Sequence, residues 1–146
     1  MQTSRTPFHL AFPSHDLRLC REFYEKLGAV PGRANANALI LNLAGNQIVA
    51  HLVRETPPAQ ESIYPRHFGL IYPNLAEWEK CLERARQHQL PFFREPVIRY
   101  ENSPLEHRSF FLRDPSNNLL EFKYYSRPEA VFGEQAISQV GETNPA

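Results

Sequence analysis

The sequence predicts an α+β fold made of two copies of one half, each consisting of a strand, a helix and about three further strands. The main observation is a pair of segments, residues 9–17 and 67–75, that match when one is moved by 58 positions. His9 then falls on His67, and Asp16 falls on Asn74. Because a strand and a helix start agree in one register, the match indicates an internal duplication.

The predicted helix of each half repeats the same apolar stripe. Its members have i, i+3, i+7 and i+10 spacing, which places them on one buried helix face. Asp16 and Asn74 precede the two stripes, and both are of the residue types that cap helix N-termini. The stripes consist of Leu17, Cys20, Tyr24 and Leu27 in the first half and of Leu75, Trp78, Leu82 and Ala85 in the second.

The rest of each half is typical of strands separated by turns. In the first half, residues 38–53 form two apolar segments around a Gly-Asn turn. In the second half, residues 107–112 and 119–125 flank a turn at 114–118, and residues 97–100 are also strand-like. The predicted organisation is one domain over residues 1–125, containing module one (about 7–53), a linker (54–64) and module two (about 65–125), followed by a C-terminal arm or partly disordered tail (126–146).

Composition and charge exclude several classes of function. The chain has a formal net charge of zero, which disfavours a uniformly basic surface for nucleic acid. No apolar run approaches the length of a membrane span, and the N-terminus has no apolar signal core. Cys20 and Cys81 lie in predicted helices without metal-type spacing, so we expect reduced thiols. The sequence therefore predicts a cytoplasmic protein with a small-molecule partner, no nucleic acid and no membrane.

Four side chains with ligand chemistry share the strand face that points away from the helices. Strand residues alternate between two faces, and in the first strand of each half the bulky residues occupy one face. The histidine lies on the other face, beside a small residue. The same alternation applies to the last strand of each half. If the two sheets curl around a common cavity, the side chains that point into it are His9, His51, His67 and Glu121.

Several motifs together resemble the vicinal oxygen chelate superfamily, which includes glyoxalase I, bleomycin-resistance proteins and extradiol dioxygenases. They are the two strand motifs at residues 9–12 and 66–70, the helix motif FYEKLG at 23–28, and the segments FLRDP at 111–115 and NLLEF at 118–122. The resemblance covers about residues 7–125. One departure is Asn117, where the family often has glycine.

The resemblance implies two tandem βαβββ modules that form an open, cup-shaped barrel around one divalent metal ion. His9 and His67 match the first-strand ligands of the two modules, and Glu121 matches the final-strand carboxylate. His51 stands where glyoxalase-like members place a further ligand, usually glutamate. Two imidazoles and a carboxylate leave open positions for substrate oxygens and favour Fe(II) or Mn(II), with Zn, Ni or Co as further candidates.

Each of these residues also has a structural interpretation. An isolated strand histidine is more often structural, but the matched positions of His9 and His67 favour ligation. Glu121 could be a rim carboxylate paired with Lys123, yet an inward carboxylate on an apolar strand is costly to bury unpaired. His51 is a candidate fourth ligand, a hydrogen-bond partner of a ligand or a substrate contact.

Other residues are candidates for substrate contacts and acid–base catalysis. Gln47 shares the predicted inner face and is a candidate rim contact, although a structural role is the stronger interpretation. Lys123 could attract an anionic substrate or be a solvated or paired charge. An acid or base near the open coordination positions could come from His51, Tyr100 or His107.

The sequence favours a divalent-metal-dependent enzyme acting on a small oxygenated substrate, with extradiol-dioxygenase-like chemistry preferred. A glyoxalase-type lyase or isomerase would be expected to use two carboxylates, and His51 stands where one of them would fall. A thiol transferase that opens an epoxide would use the same triad with Mn(II). The alternative class is a metal-free protein that sequesters a ligand. A homodimer is common in the family and is a further expectation.

Overall fold

The first module is a four-stranded mixed sheet with one helix. A computed structural model describes residues 5–142. The strand order is β1-β4-β3-β2, with β1 parallel to β4 and the other neighbours antiparallel. The elements are β1 (His9–Ser14), α1 (Leu17–Lys26), β2 (Val30–Ala34), β3 (Ala38–Leu43) and β4 (Asn46–Leu52).

The second module repeats this topology element by element. Its strand order is β5-β8-β7-β6, with β5 parallel to β8. The prediction of two tandem βαβββ modules is therefore confirmed. The elements are β5 (Phe68–Ile71), α2 (Leu75–Gln87), β6 (Phe92–Arg99), β7 (His107–Arg113) and β8 (Leu119–Tyr125).

Two strands differ from the sequence prediction. The first half is expected to have about three strands after its helix, but β2 is not located by the sequence, because Pro31 and Gly32 lie inside it and are poor strand formers. It is an edge strand with a register shift between Pro31 and Ala34, which is where such residues are tolerated. β6 begins at Phe92 rather than near residue 97.

Both helices begin at the predicted caps. The Asp16 carboxylate accepts a hydrogen bond from the Leu19 amide at 3.0 Å, and the Asn74 side chain accepts one from the Glu77 amide at 2.9 Å. These bonds satisfy amides that have no partner inside the helix. No helix within residues 5–142 has the length and apolar character needed to cross a membrane.

The two modules share one hydrophobic core. The rings of Phe12 on β1 and Phe68 on β5 lie 5.7 Å apart, which joins the first strands of the two modules. The buried Tyr24 hydroxyl donates to the Asp114 carboxylate at 2.8 Å, so α1 is also tied to the turn before β8. The residues that the alternation assigns to the helix side, Ile48 and Ala50 on β4 and Leu120 and Phe122 on β8, belong to this core. Burial itself does not alternate, because Val49 and Glu121 on the opposite face are buried as well.

After β8 the chain forms an arm, which we define as residues 126–142. It contains a short 3₁₀ helix, Pro128–Val131, and continues across the face of the second sheet that points away from the helices. Residues 143–146, which the sequence analysis included in the same tail, lie outside the described residues.

Candidate functional site

A cavity of about 450 Å³ lies between the second sheet and the arm. The arm contributes residues from Ala130 to Glu142 to one wall. The opposite wall carries the polar side chains that the sequence singled out in module two, together with Arg99. The predicted residues are His67, Tyr100, His107, Glu121 and Lys123.

His67 and Glu121 meet on this wall because their strands are parallel neighbours. β5 and β8 pair with Gly69 opposite Glu121, and His67 immediately precedes β5. The His67 Nε2 and Glu121 Oε1 atoms are 3.2 Å apart. The approach depends on Gly69, since a Cβ atom there would lie 1.7 Å from the Glu121 carbonyl oxygen.

The other polar atoms of the pair are held by neighbours. His67 Nδ1 is 2.6 Å from the Ile63 carbonyl oxygen, which can only accept, so Nδ1 carries a proton. The Ser109 hydroxyl donates to Glu121 Oε2 at 2.6 Å. His67 Nε2 and Glu121 Oε1 are therefore left facing each other. Lys123 Nζ lies 3.5 Å from the same Oε1.

The contacts of the pair favour its charged form. Burial opposes ionisation of Glu121, but the hydrogen bond with His67, the charge of Lys123 and the Ser109 hydroxyl outweigh it and lower the pKa of the carboxyl. The hydrogen bond to Glu121 raises the pKa of the His67 imidazole, against the effect of burial. Without a metal, the surroundings therefore favour an ion pair between the two groups.

His107 and Tyr100 line the same cavity. His107 is only 6% exposed, and its Nδ1 donates to the Leu105 carbonyl oxygen at 2.9 Å. Burial lowers the pKa of His107, so its neutral form is favoured and Nε2 is free to accept a proton. The Tyr100 hydroxyl donates to the Gly141 carbonyl oxygen of the arm at 2.6 Å.

His9, Gln47 and His51 lie in a different place. They line an open cavity of about 520 Å³ on the corresponding face of module one. His9 Nδ1 is 2.8 Å from Gln47 Oε1, because β1 and β4 pair with these two residues opposite each other. Across residues 5–142, no group of three or more His, Cys, Asp or Glu side chains is placed to hold a metal ion. Within one chain, the four predicted ligands are therefore divided into two pairs.

Three residues in or next to the module-two cavity are not predicted by the sequence: Ser109, Arg94 and Glu142. Ser109 shares a strand face with His107, and their i, i+2 spacing on a strand next to Glu121 is a signal that could have revealed it. Arg94 on β6 and Glu142 on the arm form an ion pair, and Arg99 binds the same carboxylate at 2.7 Å. No local pattern in the sequence links Arg94 to Glu142.

The donor set of His67 and Glu121 fits part of a divalent metal site. An imidazole nitrogen and a carboxylate oxygen point at one another, and each ligand is oriented through its second polar atom, as is common around protein-bound metals. Two donors are one fewer than the two-His, one-carboxylate set requires. A third ligand has to come from outside this pair.

Comparison with known proteins places the chain in a family. The sequence profile of the Glyoxalase/Bleomycin resistance protein/Dioxygenase superfamily matches residues 6–122. The chain belongs to this superfamily, which confirms the resemblance inferred from its motifs. A search of curated proteins found no match.

Solved structures share the fold. A glyoxalase/bleomycin resistance protein/dioxygenase from Alicyclobacillus acidocaldarius is 38% identical with a TM-score of 0.83, covering 90% of this chain and 100% of that one. The fosfomycin resistance protein FosX from Listeria monocytogenes is 16% identical with a TM-score of 0.65, covering 89% and 99%. Lactoylglutathione lyase from Agrobacterium tumefaciens is 15% identical with a TM-score of 0.63, covering 90% and 99%. The last two similarities concern the fold alone.

Proposed function

We propose that this protein is a divalent-metal-dependent enzyme acting on a small oxygenated substrate, with extradiol-dioxygenase-like chemistry. The observation that carries the proposal is the pairing of His67 Nε2 with Glu121 Oε1 at 3.2 Å in a cavity wall. Ile63 and Ser109 hold the remaining polar atoms, so both donors are oriented toward one point. Fe(II) or Mn(II) is the metal that this chemistry favours.

The chain's own residues have distinct roles in this proposal. A bound divalent ion would supply Lewis-acid activation of vicinal substrate oxygens. His107 is the general base, because its Nδ1 donates to the Leu105 carbonyl oxygen and Nε2 is then the proton acceptor of the neutral ring. Lys123 attracts and orients an anionic substrate oxygen. The arm forms one wall of the cavity.

The third ligand in this proposal is His9 of a second copy of the chain. The module-one face that carries His9 and His51 is open, whereas His67 and Glu121 lie on the equivalent face of module two. A homodimer that brings these two faces together would assemble two imidazoles and one carboxylate around one ion. His51 then adjoins the site as a fourth ligand or a substrate contact, with Gln47 at the rim.

Metal analysis of the purified protein tests the proposal. We expect one Fe(II) or Mn(II) per chain, and loss of most of it in His67→Ala and Glu121→Ala. The matched control is His88→Ala, which changes an exposed histidine after α2 and should retain the metal. Loading the protein with Fe(II) and supplying a catechol should produce oxygen uptake. Isomerisation of hemithioacetals without oxygen uptake would instead identify a glyoxalase-type lyase.

One observation favours a second candidate, a metal-free protein that sequesters its ligand. Lys123 Nζ lies 3.5 Å from Glu121 Oε1 and competes with a cation for that oxygen. Such a protein would take up no divalent ion in the same metal analysis, and it would bind small molecules in the module-two cavity without converting them.

A further inference from the structure

The two arginines of β6 converge on one carboxylate of the arm. Arg99 Nη2 lies 2.7 Å from Glu142 Oε1, and Arg94 Nη1 contacts the same oxygen. The Glu142 side chain is only 16% exposed, and those of Arg94 and Arg99 are 35% and 24% exposed. Two guanidinium groups therefore hold one partly buried carboxylate where β6 meets the end of the arm.

An irregularity of β6 brings the two arginines together. They are five positions apart, and in a regular strand residues at odd spacing lie on opposite faces. The β6–β7 pairing shifts register between Arg94 and Val97, and such a bulge turns one part of the strand relative to the other. Both guanidinium groups can thus reach Glu142.

The site formed by the two guanidinium groups opens into the cavity of the proposed active site. Arg99 lines the same cavity as His67 and Glu121. Two tyrosines of that cavity also hold the end of the arm: Tyr100 donates to the Gly141 carbonyl oxygen, and the Tyr64 hydroxyl accepts from the Glu142 amide at 2.7 Å. The carboxylate of Glu142 therefore occupies a position that a ligand in the cavity could occupy instead.

The neighbouring groups indicate which ligand fits. Beside Arg99, the wall of the cavity carries the positive charge of Lys123, whose Nζ lies 3.5 Å from Glu121 Oε1. Glu121 is also engaged by His67 and Ser109, and Glu134 of the arm lines the cavity as well. The same cavity is also lined by apolar side chains, among them Ile63, Leu105 and Ile137. This combination suits a small, largely apolar molecule with one anionic group.

We propose that Arg94 and Arg99 form the subsite for a carboxylate group of the substrate, and that Glu142 fills this subsite until the substrate binds. Planar guanidinium groups bind oxyanions through directed hydrogen bonds. A carboxylate is the group that they hold here. The ligand can bind only to molecules in which the internal carboxylate is released. Its apparent Kd is therefore the intrinsic Kd divided by the released fraction. The inference rests on the proposed function for the identity of the cavity as a substrate site.

A calorimetric titration of metal-free protein with benzoate tests the subsite. We expect Glu142→Gln to bind benzoate about threefold to tenfold more tightly than the unmodified chain, because the competing charge is gone. Benzamide, which is neutral and of similar shape, should bind both proteins equally. Adding Arg99→Met or Arg94→Met to Glu142→Gln should remove the gain. The matched control, Glu129→Gln, changes an exposed residue of the arm and should leave benzoate binding as it is.

Three results would overturn the inference. Equal benzoate affinity with and without Glu142→Gln would show that Glu142 does not compete with a ligand. An equal gain for benzoate and benzamide would mean that the arm acts only by covering the cavity. A gain for inorganic phosphate without one for benzoate would assign the subsite to a phosphoryl group. Since the titration needs no metal, absence of metal binding would refute the proposed function separately.

Discussion

At Glu121, three neighbours compete for two carboxylate oxygens. Ser109 takes Oε2, whereas His67 and Lys123 both approach Oε1. His67 and Glu121 would hold a divalent ion only with the imidazole neutral, so the Nε2 proton would have to be released. The ion pair seen here is therefore the state that metal binding would have to displace.

The titration of this pair predicts how stability depends on pH in metal-free protein. The raised pKa of His67 contributes stability below its ordinary value of 6.5, and this is lost as pH rises through the folded-state pKa. The lowered pKa of Glu121 contributes stability above its ordinary value of 4.5, and this is lost as pH falls through the folded-state pKa. The pair therefore contributes most to the stability of the folded protein between about pH 4.5 and pH 6.5.

We expect the difference in melting temperature between the unmodified chain and His67→Gln to be largest in that window and to shrink on both sides. Thermal unfolding in the presence of a chelator, followed over a series of buffers, measures it. His88→Gln serves as the control and should give a constant difference. A His67→Gln difference that does not vary with pH would show that the pair is not ionised.

The proximity of His67 to Glu121 could be predicted from the sequence, but the role of Arg94 could not. Strand alternation places His67 and Glu121 on one face, and the first and last strands of the repeat are neighbours in the family. Arg94 reaches Glu142 only because β6 contains a register shift, and single-residue irregularities leave no periodic signal. The sequence offers His107 as one of three acid–base candidates, and its Nδ1 partner, the Leu105 carbonyl oxygen, is given only by the structure.

At the scale of elements, the pairing of β5 with β8 is what positions the candidate metal ligands. The two strands approach closely at Gly69, where any side chain would meet the backbone of Glu121 rather than a flexible side chain. The corresponding small residue in module one is Ala11, which pairs with Val49 on β4. Close backbone approach is therefore a particular requirement of the module-two pair.

Replacing Gly69 with alanine should separate β5 from β8. We expect the free energy of unfolding to fall by about 1–3 kcal/mol, because overpacking here displaces backbone. Metal affinity should fall as well, since Glu121 moves relative to His67. Chemical denaturation and metal titration measure the two effects. Gly32→Ala is the matched control, because its Cβ would lie at an ordinary 3.5 Å from Ile40. If both variants behave alike, the close approach at Gly69 has no functional consequence.

The elements differ in how well their sequences specify them. The helices were predicted with their caps, Asp16 and Asn74, because stripe and cap agree locally. The position of β2 is not predicted, since Pro31 and Gly32 are poor strand formers and its pairing is supplied by β3. The arm has no periodicity, and it is held by contacts with Tyr64, Tyr100 and the two arginines that are distant in sequence.

At the scale of the whole molecule, the relative placement of the two modules determines which of the predicted metal-ligating side chains lie together. Periodicity places His9 and His67 on equivalent faces of their own sheets, but it contains no information on how the sheets face each other. The Phe12–Phe68 contact links the first strands of the two modules, and each sheet retains its own cavity. The arm lies over the module-two cavity, so a second copy can approach that face only when the arm moves.

Mixing two inactive variants tests whether a site forms between chains. His9→Ala and Glu121→Ala each remove one ligand from every site of a homodimer. In a mixed dimer, one site combines His9 and Glu121 from the two unaltered positions and is intact, whereas the other lacks both. After unfolding and refolding together, random pairing should restore about a quarter of the metal-binding sites. Refolding His9→Ala with the double variant His9→Ala/Glu121→Ala is the control and should restore none. No recovery in the test mixture, with dimers present, would mean that His9 does not ligate the metal across the interface, and the third ligand would then have to be sought among the residues of the module-two cavity.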